Sequence, residues 1–266
     1  MNDTTLKTVC FSPTGTTGKV VRAIARGMGY DKAELIDITS PAAREQSLET
    51  TEEDLLIVGV PVYMGRVPAV AGEWLMKMEA RKTPVVCVVV YGNRAYDNAL
   101  LELTDIVKER GGIPVAGAAY IGEHSFSISE FPIAEGCPRE NDLAHAEEFG
   151  RRVRDKLRNQ SPGQTAPELR IPGERPYGSS TELWSVDFIE VGSSCLNLGK
   201  CADVCPVGAI DPGNPRLIDR DKCITCCACI KVCPQQARSI KPGKVKEAAQ
   251  RLNGLFAEPK SPETFL

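Results

Sequence analysis

Eight of the eleven cysteines fall between positions 195 and 233: Cys195, Cys201, Cys205, Cys223, Cys226, Cys227, Cys229 and Cys233. Thiolates are soft donors that suit zinc and iron–sulfur chemistry. From Cys223 to Pro234 the chain reads CITCCACIKVCP, which fits the spacing C-x2-C-x2-C-x3-C-P. Three thiolates so spaced wrap three irons of a cubane, and the fourth crosses to a second cluster. The proline after it turns the chain away and carries no N–H. Zinc uses separated C-x2-C pairs, so the spacing favours iron and sulfide.

The first half of the same repeat, residues 195–206, reads CLNLGKCADVCP. Cys195, Cys201 and Cys205 are in register, but Leu198 stands where the second thiolate belongs. Under the crossover rule Cys223, Cys226 and Cys229, with Cys205, form a complete [4Fe-4S] set, cluster II. Cluster I keeps only Cys195, Cys201 and Cys233, because leucine cannot ligate iron. Three readings follow for it. It is a [3Fe-4S] cluster, the first choice. It is a [4Fe-4S] cluster whose fourth iron takes water, a thiol or another side chain. Or it is missing. Cys227 is either a small apolar residue or a substitute ligand.

A second candidate site lies near the N-terminus. Ser12-Pro-Thr14-Gly15-Thr16-Thr17-Gly18 follows a strand-like run and opens a helix-like one. Hydroxyls and free helix N–H groups at such a turn suit a phosphate. The alternative is a plain helix-capping loop. The P-loop pattern G-x4-G-K-[ST] is not matched by Gly15-T-T-Gly18-Lys19-Val20. Loops 61–68 (PVYMGRVP) and 91–97 (YGNRAYD) each add a tyrosine and a glycine, suited to a planar ring.

These loops need a scaffold. Short apolar runs at 7–12, 33–38, 54–62, 83–91 and 113–121 read as strands buried on both faces. Amphipathic stretches at 17–28, 68–80, 96–110 and 141–158 lie between and after them. In the third, Leu100, Leu103, Ile106 and Val107 have helical spacing, and Gly111-Gly112 ends it. The alternation predicts an α/β fold: a doubly wound, five-stranded parallel sheet. The phosphate and ring loops then share the carboxyl edge of that sheet, where ligands bind. Expected boundaries are 1–159 for this domain, 160–183 for a Pro/Gly-rich linker, 184–241 for the cysteine module and 242–266 for a helix (244–256) with a tail.

Bulk properties narrow the function. The chain has 266 residues, 42% hydrophobic and 25% charged, as in ordinary globular domains. A net charge of −3 gives no nucleic-acid footprint. No apolar run nears the ~18 residues of a membrane span, and the N-terminus has no signal-peptide pattern. A cytoplasmic location is expected, and with it metal-binding thiols rather than disulfides.

Residues 1–158 resemble a flavodoxin, whose FMN-phosphate loop has the form [ST]-x-T-G-x-T, matched by Ser12–Thr17. Nearly the whole chain is similar to flavodoxin–ferredoxin fusion proteins of anaerobic bacteria and archaea. Their segments VPVYxGRVP, YGNRxYDxALxEL and GEHSF correspond to Val60–Pro68, Tyr91–Leu103 and Gly122–Phe126. In the ferredoxins a glycine commonly follows the second cysteine, which supports the register at Gly199. The resemblance implies a flavodoxin-like domain with FMN and a small α+β bacterial-ferredoxin-like domain with two clusters. Leu198 departs from the usual pair of [4Fe-4S] clusters. By resemblance Ser12, Thr14, Gly15, Thr16 and Thr17 hold the phosphate. Pro61, Tyr63, Met64, Gly65, Tyr91, Gly92, Asn93 and Arg94 surround the isoalloxazine. Arg66 and Arg94 either favour the anionic reduced flavin or are solvated surface, and His124 is taken as structural.

A flavin and clusters in one chain point to an electron carrier serving a redox partner protein. The alternative is a flavin-dependent reductase of a quinone, nitro compound or disulfide, fed through its own clusters. No acid–base pair or nucleophile constellation supports that alternative. A cluster-based redox sensor ranks third, because no basic DNA-binding helix accompanies the cysteines. Oligomeric state is not encoded in any motif.

Overall fold

The computed structural model describes residues 5–159, 169–178 and 186–266. Five strands form a parallel sheet: β1 (Leu6–Cys10), β2 (Glu34–Asp37), β3 (Leu55–Pro61), β4 (Pro84–Tyr91) and β5 (Ile113–Ile121). Their spatial order is β2-β1-β3-β4-β5, the order of the flavodoxin-like doubly wound fold. β3 and β4 are Val-rich and buried along almost their whole length, as central parallel strands must be.

Helices α1 (Thr16–Gly27), α2 (Ala69–Leu75), α3 (Ala99–Glu109) and α4 (Glu140–Arg158) cover the two faces. One apolar layer includes Val58, Trp74, Leu100 and Leu103; the other includes Val20, Ile24, Val88 and Phe149. Each fully buried aliphatic side chain contributes roughly 1.5–3 kcal/mol. α1 and α4 meet backbone to backbone. A Cβ on Gly27 would lie 1.9 Å from the Glu147 carbonyl oxygen, and one on Gly150 2.2 Å from that of Ile24. The start of α4 is held by the Arg139 amide donating to Asp142 at 2.8 Å. Acidic residues in its first turn and basic ones in its last oppose the helix dipole.

The cysteine module contains β6 (Ile189–Val191), α5 (Lys200–Asp203), α6 (Ala228–Lys231) and β7 (Arg238–Ile240), with β6 and β7 antiparallel. Its core joins Phe188, Ile189, Ile210, Ile240 and Val245, and Phe126 and Ile128 of the first domain pack against it.

Three features differ from the sequence expectation. The sheet gains a sixth, antiparallel edge strand, β8 (Glu263–Phe265), paired with β5. Three residues are too few for periodicity to reveal. α7 (Lys244–Phe256) precedes it, and Asn253 Nδ2 donates to the Pro132 carbonyl at 2.6 Å. The predicted linker lies partly outside the described residues, but 169–178 run against α3. There Arg175 and Tyr177 both bond Asp105, and Ile171 reaches Gly117 of β5. The two domains are also docked directly: Arg44 Nη2 donates to the Pro206 carbonyl, and Lys231 pairs with Glu123.

Candidate functional site

The hydroxyl loop leaves the carboxyl end of β1 and enters α1. Ser12 Oγ accepts the Gly18 amide at 3.0 Å, and the Ser12 amide donates to Thr39. Ser12 therefore shapes the turn and does not line the cleft beside it. Gly15, at φ 82°, is the helix cap. Thr14 and Thr16 do line the cleft, their hydroxyls 3.5 Å apart. The first-turn amides of Thr16 and Thr17 have no intrahelical acceptor. Thr17 Oγ1 is buried without a hydrogen-bond partner, the kind of orphan atom that a bound group satisfies.

The cleft encloses about 110 Å³ and opens to solvent. Of the residues assigned to the ring, Pro61, Tyr63, Met64, Tyr91 and Gly92 line it. The others go elsewhere. Met64 and Gly65, both at positive φ, form the tight turn closed by the reciprocal Tyr63–Arg66 backbone bonds, and Gly65 is buried outside the cleft. Asn93 is fully buried. Its amide donates to the carbonyls of Phe256 and Glu258, and its Oδ1 accepts the Lys260 amide. Arg94 pairs with Asp97. Arg66 forms a two-toothed ion pair with Glu102 at 2.8 Å, so neither guanidinium lines the cleft.

Other walls were not predicted from sequence. His124, Ser125 and Phe126 form one, from the GEHSF segment, and Ile224 and Thr225 of the cysteine module form another. His124 Nδ1 accepts the Phe126 amide at 2.9 Å, leaving the proton of the neutral ring on Nε2. Burial, with Lys231 and Arg94 nearby, lowers its pKa to about 4. Gly92 permits this packing, since a Cβ there would lie 2.2 Å from His124 Cδ2. Tyr63 is hydrogen bonded to Ser125, and burial raises its phenol well above the ordinary range. An adjoining cavity shares Thr14, Thr16 and Glu123 with the cleft and adds Lys19 and Lys231. Lys231 is paired with Glu123 there, which leaves Lys19 beside the hydroxyl loop as the cation that suits an anionic group.

The cysteines ring two small cavities of about 30 and 20 Å³. Cys195, Cys201 and Cys233 line the first, together with Leu198. Cys205, Cys223, Cys226 and Cys229 line the second. Among the described residues no three Cys, His, Asp or Glu side chains converge as a single metal ion requires. The backbone repeats between the halves. Asn197 and Gly199 have φ 55° and 74°, and their counterparts Thr225 and Cys227 have 53° and 58°. Cys205 Sγ accepts the Ala209 amide at 3.2 Å, and Cys233 Sγ that of Ala237 at 3.3 Å. Leu198 thus occupies the loop position of Cys226 but is 54% exposed, against 8%. Cys227 lines the four-cysteine cavity and not the one that lacks a thiol. Burial raises the Cys226 thiol and pushes Cys229 up to about 12. Such thiols stay protonated until a metal displaces the proton.

Residues 188–234 match the 4Fe-4S dicluster domain family. Among solved structures, the Flv1 flavodiiron core from Synechocystis sp. PCC6803 is 15% identical over 58% of this chain and 36% of its own, with TM-score 0.41. An archaeal flavodoxin is 14% identical over 58% of this chain and 99% of its own, with TM-score 0.39. A Fusobacterium nucleatum flavodoxin bound to flavin mononucleotide is 17% identical over 57% and 98%, with TM-score 0.38. This chain therefore covers about a third of the flavodiiron core. Sheet order, not these distant likenesses, defines the N-terminal fold. No helix among the described residues is long and apolar enough to cross a membrane. A flavodoxin-type sheet followed by a region that matches the 4Fe-4S dicluster domain indicates a redox or electron-transfer role.

Proposed function

We propose that this chain is an electron carrier in which residues 1–159 hold FMN and residues 184–241 hold iron–sulfur clusters, serving a redox partner protein. Ile224 carries the proposal. It lines both the cleft and the four-cysteine cavity, so one side chain forms the wall between them. When bound, FMN exchanges one or two electrons and a cluster exchanges one. Thr14, Thr16 and Thr17, with the first-turn amides of α1, hold the phosphate, while Ser12 and Gly15 set the loop. Tyr63, Met64, Tyr91 and Gly92 border the ring, and the Lys231–Glu123 pair keeps the cysteine module against this edge.

Cys205, Cys223, Cys226 and Cys229 hold a [4Fe-4S] cluster. Cys195, Cys201 and Cys233 hold a second one, of the [3Fe-4S] type. The repeated loop conformation supports ligand-ready backbones in both halves. The test is anaerobic reconstitution followed by iron, sulfide and FMN analysis, EPR, and rapid mixing with a one-electron reductant. About seven irons and one FMN per chain, with clusters and flavin reaching a common potential, are expected. Clusters unable to reduce or oxidise the flavin overturn the carrier reading. Steady quinone reduction without any partner protein moves it to the reductase alternative.

A further inference from the structure

The repeat that relates the two halves of the cysteine module breaks at a second position besides Leu198. CPVGAI in the first half answers CPQQAR in the second, so Ile210 corresponds to Arg238. Both residues are 4% exposed. Ile210 lines the four-cysteine cavity and Arg238 the three-cysteine cavity. The guanidinium is anchored by Nη2, which donates to the Pro215 carbonyl, and its Nη1 is buried with no hydrogen-bond partner. A buried guanidinium with an unmet donor is costly unless an anion or acceptor faces it. The thiols of Cys195, Cys201 and Cys233 line that cavity with it, beside the amides of Asn197 and Gln235.

We infer that Arg238 is a buried counter-cation of cluster I and raises its reduction potential. The inference rests on the assignment of cluster I to Cys195, Cys201 and Cys233. Reduction adds one electron, supplied by an external reductant, to a group that already carries thiolate and sulfide charge. A fixed positive charge and an N–H donor to sulfur stabilise the reduced state more than the oxidised state. At Leu198 the missing thiolate goes with the iron it would hold, so the two losses offset in charge and the charge argument rests on Arg238. Its charge also reaches Cys229 of the other set, whereas Ile210 supplies none. Lys200 also lines the cavity, but its charge is exposed and screened by salt.

The test is an EPR-monitored dithionite titration of the reconstituted full chain, comparing wild type with Arg238→Met, Arg238→Lys and Lys200→Met. Met keeps an unbranched apolar stem and removes the charge. In R238M the reduction equilibrium of cluster I falls at least tenfold, a downward shift of about 59 mV or more for one electron. R238K retains most of the wild-type value, and K200M moves it less than R238M does. Cluster II and FMN content stay unchanged and report that the fold is intact. Loss of cluster I in R238M with retention in R238K also supports the inference. An unchanged potential in R238M, or loss of cluster I in both variants alike, overturns it and leaves Arg238 a packing residue. A wild-type chain with four irons and only cluster II overturns the cluster I assignment itself, a result distinct from either.

Discussion

Asn93 was assigned to the flavin by resemblance, but its side chain spends all its bonds on the C-terminal tail. Replacing it with glycine tests which role holds. Glycine leaves the positive φ of 68° unstrained, so the substitution removes only the side chain. Three hydrogen bonds disappear: two from Nδ2 to the Phe256 and Glu258 carbonyls at 2.7 Å, and one from the Lys260 amide to Oδ1 at 2.9 Å. At about 1 kcal/mol each, net, the tail loses roughly 3 kcal/mol of docking energy. Since 1.4 kcal/mol is tenfold, its opening equilibrium rises by about a hundredfold. The tail can swing into water, so global stability falls less than this. Amide exchange in β8 and its β5 partners should quicken by about that factor, and limited proteolysis should cut first between 257 and 262. FMN affinity should change less than threefold. A tenfold weaker FMN complex with unchanged exchange would return Asn93 to the flavin and refute the structural assignment.

Gly92→Ala places a Cβ 2.2 Å from His124 Cδ2 and 2.7 Å from its Cγ. The ring must be displaced at its root, costing about 1–3 kcal/mol; FMN binding by fluorescence titration should weaken tenfold or more, and unchanged binding would count against the cleft. His124 has a folded pKa near 4, against 6.5 when free. The unfolded chain therefore takes up a proton first as pH falls below 6.5, so stability is full above 6.5 and is lost down to pH 4. The interval of about 2.5 units caps the loss near 3 kcal/mol, and solvent in the cleft reduces it to about 1–2. Melting temperatures between pH 7 and 4 should fall less steeply in His124→Asn, and parallel slopes would exclude this residue as the cause. Cys205→Ser should remove the [4Fe-4S] signal although it lies in the first motif, and Cys233→Ser should remove the other cluster. Iron analysis and EPR showing the reverse pattern would refute the crossover assignment.

Some of this molecule is written in short range. Cys223, Cys226 and Cys229 stand at the near-consecutive spacing that a cubane requires, so this motif is legible from spacing alone. The five parallel strands were equally legible, since burial on both faces leaves long apolar runs such as those of β3 and β4. Loop side chains were not. Asn93, Arg94 and Arg66 share a rim with Tyr63 and Tyr91 in sequence. Whether each faces the cleft depends on a partner far along the chain: Phe256 and Lys260 for Asn93, Glu102 for Arg66. β8 has only three residues and no periodicity to betray it.

Sequence alone determined the two-part architecture, the cysteine spacing and the leucine at position 198 in place of a cysteine, because those follow from local spacing and apolar runs. Tertiary structure alone decided that Ile224 is shared by both cavities, that Cys227 lies on the complete one, and that Arg238 faces the incomplete one. Those facts depend on which distant segments meet across a packed interface. Local pattern carries no record of that meeting.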